Sequence, residues 1–577
     1  MSLKRSFLSA AAVLILLAGG VSCFEQNRDA PSAAGSGSGP GESKPSAAPA
    51  AATPLPAAPA AGAATAAAAP AVGLAPSTAS GDAADGVAAP APGTAPTAPP
   101  TADTAPSSTF GATVCDQLAR RALDFYKGLP KDIGSLKEAA ADNLALETEK
   151  ALLAAGQFLS QCASHPRTPE VKYVSAKLLF LMSARHRSEW MALDREKPNF
   201  RELLASKTAG YMADIEKLAR EAFETLPADD PLRPRSLELA GQAAGEGQAH
   251  ETARKNFETF LTTFPTDAEA DRVTLALGRS LFDLEQLDAA LDVVKKGIEK
   301  YYASEQFPYF GELHWKIVHA KGDLDGMMEY VRRVDTVYTL KISGTDLKAS
   351  EREAYDRFID FNGFRKGYTL FARGDFGGAR AAFEQHLRDL AAKDEKLQKE
   401  HRELRPEVRV YRERSAWCLR VLDDVAGLPV PVDLELGGAW TTAKQLRLAE
   451  SRGKVVALTF RGVGDERSAA FIGPLSQWVA KQPGMEMVVV AYRKVGQPLG
   501  RQQDDMKEEL GRLGFEGAAG FDPDETNKSI FRRFQANVGS ATFLIINARG
   551  EVVWSMQDPR GIDVQFAERL LKTQSRA

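Results

Sequence analysis

Apolar residues recur at helical spacing over most of the middle of the chain. Leucine, valine and phenylalanine return every three to four residues, with charged residues between them, in stretches such as 152–158, 174–181 and 257–264. This spacing predicts amphipathic helices. Because strand-like alternation is almost absent from residues 110–427, we expect an all-α region there, and its length favours a helical repeat.

The pattern changes after Gly427-Leu428-Pro429, where short apolar runs alternate with helical ones. The apolar runs predict strands at Lys454–Phe460, Met485–Tyr492, Ala541–Asn547 and Glu551–Ser555. The helical runs are Glu466–Lys481, Leu499–Leu513, Asn527–Gln535 and Val564–Lys572. This order of strands and helices predicts an α/β domain over residues 428–577.

Residues 1–23 have the pattern of an export signal. Two basic residues precede an apolar run from Phe7 to Ala18, which is too short to span a membrane. The stretch from Gly20 to Cys23 resembles the lipobox of bacterial lipoproteins, although that family mostly carries leucine where Gly20 stands. The resemblance implies a lipidated Cys23 and a membrane-anchored protein on the periplasmic side of the bacterial envelope. An ordinary cleaved signal peptide is the alternative.

Residues 24–109 consist almost entirely of alanine, proline, glycine, serine and threonine. Such a segment cannot bury enough apolar surface to offset the entropy of ordering it, so we expect a disordered linker. The whole chain has 72 basic and 76 acidic residues and no basic block. This balance argues against nucleic acid as a partner.

Small and large residues repeat along the helical region. The four units are Gly241, Ala244, Ala253 and Phe257; Gly278, Leu281, Ala290 and Val294; the weakest, Trp315, Val318, Met327 and Val331; and the clearest, Gly367, Leu370, Ala379 and Phe383. The offsets resemble those of tetratricopeptide repeats, which implies a TPR-like solenoid that binds proteins or peptides. An insertion near Thr336 to Ser350 interrupts the 37-residue period, and a non-repetitive helical bundle is the alternative.

Three stretches of residues 428–577 resemble thioredoxin-like proteins of the TlpA and peroxiredoxin-related group. They are RGKVVALTF at 452–460, ATFLIIN at 541–547 and FDPDETNKSIFRRFQA at 521–536. The resemblance implies a thioredoxin-like fold, in which the two redox cysteines of the family fall on Asp465 and Ser468 and its cis-proline falls on Ser540. Disulfide exchange requires two thiols, and a cis bond before a residue other than proline is costly. We therefore expect a redox-inactive domain with a trans bond before Ser540.

Two other candidate sites in the sequence can each be explained by a structural role instead of a chemical one. Ser468 could act as a nucleophile assisted by Asp465, but no histidine follows His401, and a helix N-cap at Asp465 explains both residues. Asp522 and Asp524 could bind a metal ion or belong to a helix-capping turn, and we favour the turn. The sequence therefore predicts neither a catalytic nor a metal site. It carries no motif for a small-molecule cofactor either, since Gly453-Lys454 lacks the rest of a phosphate loop.

The four cysteines are Cys23, Cys115, Cys162 and Cys418, and no two form a Cys-x-x-Cys pair. Cys115 and Cys162 could form a disulfide in an oxidising compartment or lie buried as free thiols. These features favour a non-catalytic envelope protein that binds proteins or peptides. The alternative is a divergent thiol-disulfide oxidoreductase that acts through Cys418, which we expect to be buried, or through a partner's cysteines.

Overall fold

In the computed structural model, the described residues up to Asp424 are mainly helical, and those after it form both strands and helices. The structure describes residues 111–130, 138–194, 200–344, 347–428, 439–442, 448–494, 496–522, 533–536 and 540–576. The predicted signal peptide and linker, residues 1–109, lie outside the described residues. Residues Gly111–Ala577 belong to one compact unit. The boundary at residues 427 and 428 stays a prediction.

The described helices before the sheet follow one another with short connections. They are α1 (Ala112–Lys127), α2 (Glu138–Gln161), α3 (Thr168–Asp194), α4 (Phe200–Thr225), α5 (Leu232–Glu246), α6 (His250–Thr263), α7 (Ala270–Asp283), α8 (Leu287–Lys300), α9 (Phe307–Ala320), α10 (Leu324–Arg333), α11 (Thr339–Ser343), α12 (Ala349–Ala372), α13 (Phe376–Lys399) and α14 (Pro406–Asp424). Most of them pack chiefly on their neighbours in sequence. This local packing follows from the short connections.

The 37-residue period is visible in the backbone. Gln248, Glu285 and Gly322 are spaced by 37 residues, and each has a positive φ at the turn between two helices. Gly374 has a positive φ as well and follows Gly322 by 52 residues, an excess equal to the 15 residues of the predicted insertion. After Gly322 and Gly374, an aspartate caps the next helix by accepting a hydrogen bond from a backbone N–H. The same turn therefore recurs along the helical region.

Small and large residues of the repeat contact each other in the three hairpins that carry glycine at the small position. A Cβ added at Gly241 would lie 2.4 Å from the Phe257 ring, and one added at Gly367 would lie 2.6 Å from the Phe383 ring. The corresponding distance from Gly278 to Val294 is 3.0 Å. Each pair is 16 residues apart in sequence. Glycine is therefore needed where the large side chain of the second helix meets the backbone of the first.

This contact makes Gly367 sensitive to substitution. We expect Gly367→Ala to lower the free energy of unfolding by about 1–3 kcal/mol, because the added methyl group overpacks the hairpin against Phe383. Gly210→Ala is the control, since nothing lies within 4 Å of a Cβ added at this exposed position of α4. It should raise stability by up to about 1 kcal/mol through helix propensity. Urea titrations measure both, and equal effects would contradict the packing explanation.

The C-terminal part contains a mixed six-stranded sheet with the order β1-β4-β3-β2-β5-β6. Its strands are β1 (Ala439–Trp440), β2 (Val455–Arg461), β3 (Met485–Ala491), β4 (Ala518–Phe521), β5 (Thr542–Ile546) and β6 (Val552–Gln557). Strands β2, β3 and β4 run parallel, whereas β1, β5 and β6 pair antiparallel with their neighbours. The described helices of this part are α15 (Glu466–Ala480), α16 (Leu499–Arg512) and α17 (Val564–Arg576). These strands and helices form the α/β architecture that the sequence predicts for this part.

The sequence pattern did not predict two of the strands, β1 and β4. β1 has only two residues, and β4 begins Ala518-Ala519-Gly520, residue types that have little preference for strands. β4 forms because it completes the parallel ladder beside β3, where its residues are fully buried. The predicted helix at 527–535 lies mostly outside the described residues.

The helical region and the sheet share one hydrophobic core, which runs from Leu237 to Leu571. His319 of α9 stacks on Phe566 of α17 at 4.6 Å between ring centres. Tyr368 of α12 lies 5.6 Å from Phe566 and 5.5 Å from Trp554 of β6. At the edge of the sheet, the Gly427 N–H donates a hydrogen bond of 2.8 Å to the Val552 carbonyl. The described helices therefore extend the core of the sheet.

Candidate functional site

The positions that correspond to the family's redox cysteines lie between β2 and α15. The Asp465 carbonyl accepts a hydrogen bond from the Ala469 N–H at 3.3 Å, which places Asp465 at the N-cap of α15. Ser468 lies in the first turn, is fully buried, and donates its hydroxyl hydrogen bond to the Asp465 carbonyl at 3.2 Å. This geometry suits a structural serine, because its oxygen is turned toward the backbone and away from solvent.

An ion pair holds the loop before α15. Arg461, at the end of β2, has a side chain that is only 3% exposed and lies 2.5 Å from the Glu509 carboxylate of α16. Arg461 also donates hydrogen bonds to the carbonyls of Gly462 at 3.0 Å and Asp465 at 2.9 Å. The second oxygen of Glu509 accepts from the Gly464 N–H at 3.0 Å. The loop is thus fixed at three points by one arginine and one glutamate.

The sequence analysis did not predict the ion pair between Arg461 and Glu509. The signal was present, since Arg461 ends the otherwise apolar run VVALTF of β2, and a charged residue at the end of a buried strand needs a partner. Its partner is 48 residues away on a polar helix and has no motif of its own. Spacing alone could not identify it.

A phenol ring covers the same loop. A Cβ added at Gly462 would lie 2.3 Å from the Tyr492 hydroxyl, so only glycine fits against this ring. Burial raises the pKa of Tyr492, and the nearby Asp465 raises it further. The phenol therefore stays neutral at ordinary pH and acts as packing over the loop.

Ser540, at the position of the family's cis-proline, is partly buried beside the end of β6. Its hydroxyl donates a hydrogen bond of 2.8 Å to the Asp558 carboxylate and accepts one of 3.2 Å from the Gln557 amide. The peptide bond before it begins at Gly539, which lies outside the described residues. The trans bond therefore stays a prediction.

Of the two aspartates considered as metal ligands, the structure describes Asp522. Asp522 is fully buried after β4, where its N–H donates to the Ala491 carbonyl at 3.0 Å and its carbonyl accepts from Arg493 at 3.1 Å. Asp524 lies outside the described residues. Within the described ranges, no three His, Cys, Asp or Glu side chains gather as a metal site would need.

The described cysteines occupy two different environments. Cys115 and Cys162 are joined by a disulfide, with their Cα atoms 5.9 Å apart, in the core formed by α1 to α5. Cys418 is buried in α14, and burial raises the pKa of its thiol to about 12. A thiol with that pKa stays protonated at neutral pH and is a poor nucleophile.

The two histidines of α9 have different surroundings, since His314 is fully buried and His319 is partly buried. His319 lies 3.3 Å from the Tyr368 hydroxyl and 3.7 Å from the Asp563 carboxylate. Neither ring nitrogen of His314 has a hydrogen-bond partner among the described residues. Burial, with the positive charge of Arg333, lowers the pKa of His314 to about 4.

The lowered pKa of His314 predicts a loss of stability in acid. The unfolded chain takes up a proton at this histidine near pH 6.5 and the folded chain only near pH 4, so stability falls as the pH drops through this window. The full loss from this group is about 3 kcal/mol. His314→Leu should remove it, and the difference between the variant and the original protein should grow in favour of the variant from pH 7 to pH 4. Urea titrations across this range measure the difference, and parallel profiles would contradict the assignment.

No described helix is both long and apolar enough to cross a membrane. No family model matches the chain, and no curated protein matches it either.

Solved structures resemble part of the chain in fold. A thiol:disulfide interchange protein of the thioredoxin family from Chlorobium tepidum is 18% identical, with a TM-score of 0.22, over 26% of this chain and 98% of that one. A thiol-disulfide isomerase from Corynebacterium glutamicum is 11% identical with a TM-score of 0.23, over 26% of this chain and 97% of that one. Peroxiredoxin Q from Xanthomonas campestris is 11% identical with a TM-score of 0.22, over 26% of this chain and 98% of that one. These similarities concern fold alone and transfer no activity to this chain.

Proposed function

We propose that this protein is a non-catalytic binding protein of the bacterial cell envelope. Its TPR-like helical region and its redox-inactive thioredoxin-like domain together bind a protein or peptide. The observation that carries the proposal is the loop before α15, where a buried serine and the Arg461–Glu509 pair occupy the positions around which a redox site would be built. No cysteine follows Cys418 in the sequence.

The recurring turn supports the assignment of the helical region to the TPR type. The positive-φ residues at a 37-residue spacing and the contacts of Gly241 and Gly367 with large rings are what stacked helical hairpins require. Solenoids of this kind use their long surfaces mainly for recognition. A binding role therefore follows from the architecture more directly than a catalytic one.

An assay of insulin reduction tests the absence of redox activity. The full mature chain, with dithiothreitol as reductant, should reduce insulin no faster than a variant in which Cys115, Cys162 and Cys418 are all alanine. Turnover that depends on Cys418 would overturn the proposal in favour of a thiol-disulfide oxidoreductase. Binding has a separate readout, since a specific partner should be captured from envelope extracts by the mature chain and released by an excess of it.

The proposed location in the envelope rests on residues 1–23, and substitution of Cys23 tests it. Cys23→Ala should move the protein from the membrane fraction to the soluble fraction, because a lipid on Cys23 is the proposed anchor. The mass of the purified mature chain should also lack the two hydrogens lost when Cys115 and Cys162 pair. A Cys23→Ala variant that stays firmly in the membrane fraction would refute the lipid anchor.

A further inference from the structure

Three aromatic rings of the helical region form a cage around the side-chain ammonium of Lys341. The ammonium of Lys341 is 3.9 Å from the centre of the Tyr302 ring, 4.8 Å from that of Phe307 and 6.0 Å from that of Tyr355. It also donates a hydrogen bond to the Tyr302 carbonyl. Several rings around one ammonium are the arrangement by which proteins recognise alkylammonium groups. This surface therefore already has the geometry for such a cation.

The inner walls of the cage belong to the folded core. Phe307 and Tyr355 are buried, and both pack against the buried Tyr338, at 5.8 Å and 5.1 Å between ring centres. Tyr302 packs on Phe307 at 4.9 Å but is 51% exposed. The cage thus has two fixed walls and one wall that faces solvent, where a side chain from outside could enter.

The lysine that occupies the cage comes from a weakly held segment. Lys341 lies in the five-residue helix α11, which buries none of its residues, and the neighbouring Leu340 is 74% exposed. Besides Lys341, the segment is attached through Ile342, which packs partly buried against the core, and through Arg352, which donates hydrogen bonds to the carbonyls of Ile342 and Gly344. A segment with so little buried surface opens locally at low free-energy cost.

Sequence position and backbone both set this segment apart. It lies within the 15-residue insertion that interrupts the 37-residue period, and it follows a π-helical turn at Val334–Tyr338. Such turns occur often at functional sites. Partial burial lowers the pKa of Lys341, so its ammonium regains hydration when it leaves the rings.

We propose that the cage of Tyr302, Phe307 and Tyr355 binds the ammonium of a lysine from a partner protein, and that Lys341 occupies the cage in the unbound state. The inference rests on the proposed binding role for its partner, and it names the chemistry by which that partner is recognised. The cage can nevertheless be tested with a small cation alone, so that its failure would leave the binding role to its own experiment.

The first test uses n-butylammonium, which has the stem and charge of a lysine side chain. In protein with ¹³C-labelled tyrosine rings, the cation should shift the Tyr302 signal saturably in Lys341→Ala, at a concentration at least tenfold lower than in the unchanged protein. Adding Tyr302→Leu should abolish binding, as followed by the other tyrosine signals. Lys348→Ala is the matched control, because this neighbouring lysine pairs with Glu305 outside the cage. No saturable shift in Lys341→Ala, or an equal shift with uncharged n-butanol, would overturn the cage.

The second test needs no substitution and therefore cannot fail through misfolding. n-Butylammonium should speed hydrogen exchange of the amides of Thr339–Ser343 in the unchanged protein, because it competes with Lys341 for the rings. Sodium chloride at equal ionic strength should have a smaller effect. Equal rates in the two salts would show that Lys341 does not compete for the cage.

Discussion

Replacing Phe566 by alanine is expected to lower the free energy of unfolding by about 3–5 kcal/mol, as for other buried aromatic residues. Phe566 is fully buried in α17 and contacts rings from both parts of the molecule. It packs against His319 and Tyr368 on the helical side and lies 5.4 Å from Trp554 in the sheet. Its loss would leave a cavity where the two parts meet.

The location of this cavity predicts which signals change. One core joins the helices from Leu237 onward to the sheet, whereas α1 to α4 lie in a second core. The larger part of the helix content should therefore be lost together with the tryptophan fluorescence, and Phe566→Ala should shift both changes to lower denaturant. Val410→Ala, at a side chain that is 43% exposed, is the control and should change stability by less than about 0.5 kcal/mol. If the fluorescence transition shifted alone, the shared core would not unfold as one unit.

Replacing Glu509 by alanine is the second change with a large expected effect. It leaves the guanidinium of Arg461 buried without a counter-ion, which costs about 3–5 kcal/mol when one partner of a buried pair is removed. It also leaves the Gly464 N–H without its acceptor. The loop before α15 should then lose its fixed position, and its amides should exchange faster.

A double substitution separates the charge from the packing. Arg461→Met with Glu509→Leu removes both charges and keeps similar volumes, so it should recover most of the stability lost in Glu509→Ala. Urea titrations of the two variants measure the difference. A double variant as unstable as Glu509→Ala would mean that the hydrogen bonds of Arg461 to the loop carbonyls, and not the unpaired charge, account for the loss.

The helical region and most of the sheet could be predicted because their signals are local. Helical periodicity indicated α2, α3 and α6, and the apolar runs around Leu458, Val488 and Leu544 indicated three central strands. The recurrence of small and large residues every 37 residues predicted a repeated helical unit, and positive-φ turns recur at the same spacing. These features depend on residues close together in the chain, which is why the pattern was sufficient.

The features that could not be predicted depend on residues far apart. Strand β4 is formed by pairing with β3, and its own residues carry little preference for a strand. The Arg461–Glu509 pair and the cage around Lys341 each join residues more than 30 positions apart. The shared core could not be predicted for the same reason, because the sequence pattern changes at Gly427-Leu428-Pro429 as at a domain boundary, and yet Gly427 pairs with β6.

The pairing of Gly427 with Val552 has a consequence for the folding of the sheet. The helical region ends directly before the sheet begins in the chain, so its end is close at hand when β6, the last described strand, joins the sheet. An open strand edge invites pairing with other chains. Gly427 pairs with one residue of this edge, and α9 and α14 contact α17 and β6, respectively. The helical region thus protects the edge of the sheet during folding. A fragment that starts at residue 428 would fold with this edge exposed.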